Sequence, residues 1–268
     1  MKSTDTPDSL LALDDAGDLY AKLALWQLDA TESELATFWA GYRTREKRDM
    51  NVMDLLFSQW TRMNPRAAIE AAKGTGNDGI PWWAWAIHDP NAAIAAARDA
   101  PSEMAGFVMR AIGQFHPDRA LRVLDENPGF AQWNSIEGIA RGLTRTDPVA
   151  ALEFQREHDR MYDSKAMEKL TRDDPHAALE WLHNQSGRND SYSEQAFLRT
   201  LERENPEMLG ELAAGAPSGE LKWKLEQAAF RHLAEENPAE ALSQARAAAS
   251  PRLAAERLAV VGRAMVEE

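Results

Sequence analysis

The residues best equipped for chemistry begin with a glycine cluster and a histidine pair. Gly74-Thr75-Gly76-Asn77-Asp78-Gly79 has the G-x-G-x-x-G spacing with which a dinucleotide-binding loop wraps a pyrophosphate. That chemistry needs a strand before the loop and a helix after it, and here the alanine-rich helical run 65–73 precedes it. Gly74 is therefore expected as the left-handed residue that stops a helix. His176 and His183 stand seven apart near Asp173 and Asp174, the beginnings of a metal site. Two imidazoles with no further fixed ligand fall short of a zinc set, so a solvated histidine pair is the stronger reading. The chain has no H-E-x-x-H, no G-x-S-x-G and no Walker lysine. Without cysteine it has neither disulfides nor thiolate chemistry. No catalytic residue, metal or cofactor is expected.

Two further groups, a tryptophan and a set of arginines, recur at fixed distances from a repeated dipeptide. Asn64-Pro65, Asp89-Pro90, His116-Pro117, Asp147-Pro148, Asp174-Pro175, Asn205-Pro206 and Asn237-Pro238 place successive prolines 25, 27, 31, 27, 31 and 32 residues apart. Asn or Asp at a helix N-cap accepts hydrogen bonds from the open N–H groups of the first turn. Proline suits the next position, where its missing N–H costs nothing and its φ is already helical. It also drives the residue before it out of the α region, so the preceding helix must end there. Each dipeptide thus closes one helix and opens the next. His116 is the weakest of the seven caps.

Aligned on the prolines, the chain shows what both helices bury. Five residues before stand Trp60, Trp85, Ile112, Leu143, Leu170, Leu201 and Leu233; eight before stand Phe57, Trp82, Met109, Ala140, Met167, Leu198 and Phe230. Three after stand Ala68, Ala93, Ala120, Ala151, Ala178, Leu209 and Ala241, and four after are Ile or Leu except at Gly210. Spacings of three and four hold these columns on one face of each helix. The alanine column marks a seam where helices approach closely, and the sixth unit, with Leu209 and Gly210, should pack differently. One such unit cannot bury its own apolar face, so the units must stack. The expected fold is all-α, an α-solenoid (superhelix) of about seven antiparallel helix pairs.

Trp60-x-x-x-Asn64-Pro65-x-Ala67-Ala68 and Trp85-x-x-x-Asp89-Pro90-x-Ala92-Ala93 carry a resemblance to tetratricopeptide-like helical repeats, and more narrowly to the bacterial W-x-x-x-DP-x-AA repeat type. It covers residues 50 to 250. Later units replace the Trp by Leu or Ile, and most intervals fall short of the tetratricopeptide period, so no family binding position is carried over. The resemblance implies a scaffold that binds proteins or peptides.

Within Pro81-Trp82-Trp83-Ala84-Trp85, Trp82 and Trp85 occupy core columns while Trp83 does not. Trp83 is read as an exposed anchor for a partner, or alternatively as packed against the loop 74–80. The arginines form two columns. Seven before the proline stand Arg110, Arg141, Arg199 and Arg231; three before stand Arg62, Arg145, Arg172 and Arg203. Four apart, the columns share one side of each first helix. Stacking would align them into a cationic strip able to clamp the carboxylates of an acidic partner through bidentate pairs. The competing reading is a solvated face of i,i+4 salt bridges.

The formal net charge is −13, so the chain lacks the basic surface that nucleic acid or an anionic membrane requires. Apolar stretches such as 258–261 are far too short for membrane insertion. Residues 1–14 read as a disordered tail. No signal-peptide pattern opens the chain, and a cytoplasmic protein is expected, with a periplasmic or anchored form after a removed signal as the alternative. Residues 15–268 are expected to form a single helical-repeat domain, with capping helices over 15–49, repeats over 50–249 and a C-terminal helix over 250–268. Thr31-x-x-Glu34 is a capping box that opens the second capping helix. The final helix carries Leu253, Leu258, Val261, Ala264 and Met265 on an apolar face with no further repeat to cover it. A weak homodimer or a partner contact through Leu258, Val261 and Met265 is expected there. The function expected is a non-catalytic protein–protein or peptide interaction scaffold. The alternative is a superhelical accessory region of an enzyme whose catalytic domain is missing or on a partner chain.

Overall fold

The cap-and-proline device operates as expected at five of its seven sites. The side chains of Asn64, Asp89, Asp147, Asp174 and Asn237 accept from the backbone N–H of Ala67, Ala92, Ala150, Ala177 and Glu240, at 2.9–3.2 Å. His116 makes no side-chain cap bond. Asn205 makes none either; the segment after it, Pro206–Met208, winds as a 3-10 turn, and the α-helix starts only at Leu209. This is where the sixth unit departs from the alanine pattern. Ser250 caps the final helix, its Oγ accepting from Leu253 N at 3.2 Å.

The computed structural model describes residues 4–159, 164–185 and 191–267, and among these residues every regular element is helical. The protein is all-α. The sequence placed residues 15–268 in one domain, whereas the chain groups into two units, Met1–Leu143 and Thr144–Glu268. The first unit holds α1 (Pro7–Leu11), α2 (Ala16–Trp26), α3 (Glu32–Tyr42), α4 (Met50–Met63), α5 (Pro65–Ala72), α6 (Gly79–His88), α7 (Pro90–Ala97), α8 (Ser102–Phe115), α9 (Pro117–Glu126) and all but the last three residues of α10 (Trp133–Thr146). The second holds α11 (Pro148–Glu157), α12 (Lys165–Asp173), α13 (Pro175–Asn184), α14 (Ser191–Glu204), α15 (Leu209–Gly215), α16 (Glu220–Glu236), α17 (Pro238–Arg246) and α18 (Pro251–Glu267).

Inside each unit the same order of packing recurs. In the first, α4 lies against α6 and α6 against α8, while α5 and α7 each touch the helix before and the helix after. In the second, α12 packs on α14, α14 on α16 and α16 on α18, and α17 touches both α16 and α18. First helices of successive pairs are therefore neighbours. Every alanine of the predicted seam is fully buried at 0% exposure, and Leu209 takes the same position in the sixth unit.

The stretch 1–14 is not a tail over its described part. α1 is capped by a box between Thr6 and Ser9, and Leu10 is fully buried in the core formed with Leu19, Leu23, Leu35 and Phe38. The Arg45 guanidinium donates to the carbonyls of Leu11 and Leu13 at 2.6 and 2.9 Å, which holds the segment down from thirty residues away. Its acidic and proline content masked a run of three leucines that the neighbouring helices cover. The box of Thr31 and Glu34 forms as the sequence indicated, and Gly74 takes a φ of 69° at the end of α5, so the glycine cluster is a helix stop and loop.

Candidate functional site

In the first unit the structure joins residues from both groups that sequence singled out. Trp83 is half-buried rather than exposed. Its indole meets the Phe115 ring edge-on, with centroids 6.4 Å apart, and the Arg110 guanidinium lies over it at 5.8 Å. The neighbouring helix α8 therefore covers Trp83, a partner that neither sequence reading named. Arg110 also reaches Glu137 on α10 at 3.3 Å, and Arg141 reaches the same Glu137 oxygen at 2.7 Å. Among the described residues the Nε atoms of Arg110 and Arg141 are buried without an acceptor. These two arginines are thus committed to an internal network rather than presented to a partner.

Three glycines permit that network. A methyl group at Gly113 would sit 2.5 Å from Ile139 N, one at Gly138 would strike the Arg110 carbonyl, and one at Gly142 would strike the Gly113 carbonyl. Helices α8 and α10 touch backbone to backbone, which only residues without Cβ allow. Sequence reasoning passed over this seam because it follows no column shared by the other units. Between α4 and α6, Arg62 Nε donates to His88 Nε2 at 3.2 Å, and Ser58 Oγ is 3.0 Å from the same nitrogen. Burial, followed by the Arg62 charge, lowers the His88 pKa, with the Ser58 contact opposing.

The remaining ladder residues, Arg145, Arg172, Arg199, Arg203 and Arg231, belong to the second unit. Arg172 grips Glu204 with two nitrogens, Nε at 2.5 Å and Nη2 at 3.3 Å, and Arg203 adds a bond at 2.7 Å to the same carboxylate. The bond from Arg172, then that from Arg203, pulls the Glu204 pKa down to about 2. Arg231 bonds Glu202 on the preceding first helix at 2.5 Å. Arg145 is exposed. Within each unit, several of these arginines bridge neighbouring helices instead of closing i,i+4 loops along one. The reason is spacing: stacked helix axes lie about 8–10 Å apart, within reach of an arginine and a glutamate extended toward each other.

Arg199 is the exception. Its Nε donates to the Gln195 carbonyl at 3.3 Å within its own helix, and among the described residues no carboxylate pairs with it. It lines a groove of about 650 Å³ that runs over α14, α16 and α18. Leu198, Ala259 and Val260 supply apolar surface there, and Trp223 lies alongside with 55% of its surface exposed. Arg231 and Lys224 rise from α16; Lys224 holds Glu194 at 2.5 Å and Glu220 at 2.7 Å. Arg263, on α18, is exposed and has no carboxylate partner among the described residues. Sequence reasoning missed Trp223 and Arg263. The available signal was Lys222-Trp223-Lys224, an aromatic between two cations and outside both core columns. A second groove, of about 680 Å³, opens where the 3-10 turn shortens the sixth pair; Gly210 and Glu207 line it on one side and Phe230 and Glu236 on the other.

The final helix corrects one expected edge residue. Val261 is 2% exposed, packed with Phe230, Ala234, Ala241 and Ala245, so it cannot serve an intermolecular contact. Leu258 and Met265, at 41% and 60%, face solvent with Val266. The apolar face is wide enough to be split, one side on the core and the other outward. His176 lies 3.3 Å from Glu211, and among the described residues no group of three or more His, Cys, Asp or Glu side chains could hold a metal ion. No helix among the described residues is long and apolar enough to cross a membrane. Compared with known proteins, the chain matches no protein-family model, no curated protein and no solved structure.

Proposed function

We propose that this protein is a non-catalytic interaction scaffold, a tetratricopeptide-like stack of helix pairs that binds a segment of another protein. The observation that carries this reading is the open groove over α14, α16 and α18, in which an exposed tryptophan and two guanidinium groups without a carboxylate partner among the described residues stand on three successive first helices. An aromatic anchor beside arginine is the composition of energetic centres in protein interfaces. A trough crossing several repeats suits an extended chain, because each repeat adds one more row of side chains to the contact. The arginine ladder supports the reading in a reduced form: four of its eight members, Arg62, Arg110, Arg172 and Arg231, reach a neighbouring helix, and Arg199, with no carboxylate partner among the described residues, lines the groove.

The test is affinity capture from the native source followed by hydrogen exchange on the purified complex. Amides of α14, α16 and α18 should gain protection when the captured protein is bound. Protection confined to other helices, or failure to capture any protein, refutes the assignment.

A further inference from the structure

Resting on the scaffold reading, we infer that the groove over α14, α16 and α18 takes an acidic segment of the partner, with aliphatic side chains between its carboxylates. Two of the groove's four cations, Lys224 and Arg231, are neutralised by Glu194, Glu220 and Glu202. Among the described residues Arg199 and Arg263 have no carboxylate partner, and they stand on helices to either side of α16. Exposed guanidinium groups flanking a trough can each receive a carboxylate in the two-pronged geometry that lysine cannot match. The helices carrying them are two packing steps apart, about 16–20 Å between axes, a distance an extended chain crosses in about five or six residues. Between the two cations the occupant meets Trp223, Leu198 and Val260, which reward apolar side chains rather than further charge.

The same groove disfavours a polyphosphate. Glu202 and Glu256 line it, and the whole chain carries a formal charge of −13. A peptide can place its few carboxylates at the guanidinium groups and its apolar residues elsewhere, whereas a nucleic acid brings a charge at every step past those glutamates.

The experiment measures fluorescence anisotropy of a labelled peptide of mixed Glu and Leu residues titrated with the full chain, beside a Lys/Leu peptide and a single-stranded oligothymidylate. The Glu/Leu peptide should bind, and both controls should bind at least ~10-fold more weakly. Binding should fall as salt rises. The Arg199→Glu, Arg263→Glu double variant should lose at least ~10-fold in affinity, and Trp223→Ala should lose several-fold. All three positions are exposed, so melting temperatures should match the parent. If a variant fails to fold, quenching of Trp fluorescence by the Glu/Leu peptide in the parent, absent in Trp223→Phe, takes its place. Equal binding of the Lys/Leu peptide or the oligothymidylate, or an unchanged affinity of the double variant, overturns the inference. A double variant that still captures the parent's partner overturns the groove assignment while leaving the scaffold standing. A parent that captures no protein removes the scaffold reading itself.

Discussion

The Arg110 guanidinium lies over the Trp83 ring, 5.8 Å from its centroid, while it reaches Glu137 at 3.3 Å. One side chain thereby ties α6 to α8 and α8 to α10. A cation held between a π face and a carboxylate is fixed from both sides, which makes this a packing joint of the first unit.

Trp83→Ala should accordingly destabilise the protein by about 3 kcal/mol, the cost of truncating a large packed aromatic. A double-mutant cycle of Trp83→Leu and Arg110→Met, followed by urea unfolding, should give a coupling of about 0.5–1 kcal/mol. Strictly additive effects would show that the two side chains are neighbours without interacting.

Two glycines should respond to alanine in opposite directions. At Gly138 the added methyl meets the backbone of Arg110, which cannot give way, and the loss should be about 1–3 kcal/mol. At Gly210, in the first turn of α15, nothing lies within 4 Å of the new carbon. There the gain in helix propensity should stabilise by up to about 1 kcal/mol. Thermal melts of the two variants suffice, and a Gly138→Ala protein as stable as the parent would contradict the close contact of α8 and α10.

Ala120 and Ala178 are fully buried in the seam between helices. Leucine at either position should cost about 1–3 kcal/mol through overpacking, despite its greater hydrophobicity. If both variants melt at or above the parent temperature, the column is not a close-packing seam.

The Arg172–Glu204 pair should give stability a distinct acid dependence. The Glu204 pKa falls from the ordinary 4.5 to about 2 because Arg172 and then Arg203 donate to its carboxylate. A depressed carboxylate pKa contributes stability that is fully present above pH 4.5 and lost as pH falls through about 2. Glu204→Gln should therefore be less stable than the parent at neutral pH, and the difference should shrink below pH 4.5 and vanish near 2. Urea unfolding across that range checks it; a difference independent of pH would assign the effect to packing. Added salt should narrow the gap at neutral pH, since the pair faces solvent.

Much of the local architecture was legible because its cause is local. Asx-Pro acts within a single turn, so the helix boundaries at Asn64, Asp89, Asp147, Asp174 and Asn237 follow from chemistry that neighbouring residues complete among themselves. The alanine column was legible for a related reason: seven repeats of one offset expose a requirement that no single unit could reveal. The departure at Leu209 and Gly210 was visible as an exception to that column, and the structure shows its form as a 3-10 turn.

What the tertiary structure decided depends on residues far apart in the chain. Leu10 became core because Arg45 and the helices 16–42 cover its segment. Trp83 lost its exposure to Arg110 and Phe115, twenty-seven and thirty-two residues onward, and Val261 lost its to Phe230 and Ala245. Which arginines pair was likewise a matter of distance: Arg172 and Arg231 find glutamates on the adjoining helix, while Arg199 finds none among the described residues. An ion pair needs its partner within about 4 Å, and composition alone does not say which of the chain's many carboxylates comes that close. The sequence determined the helices and the faces they bury; the packing of one helix on the next determined which side chains remain outside to be read.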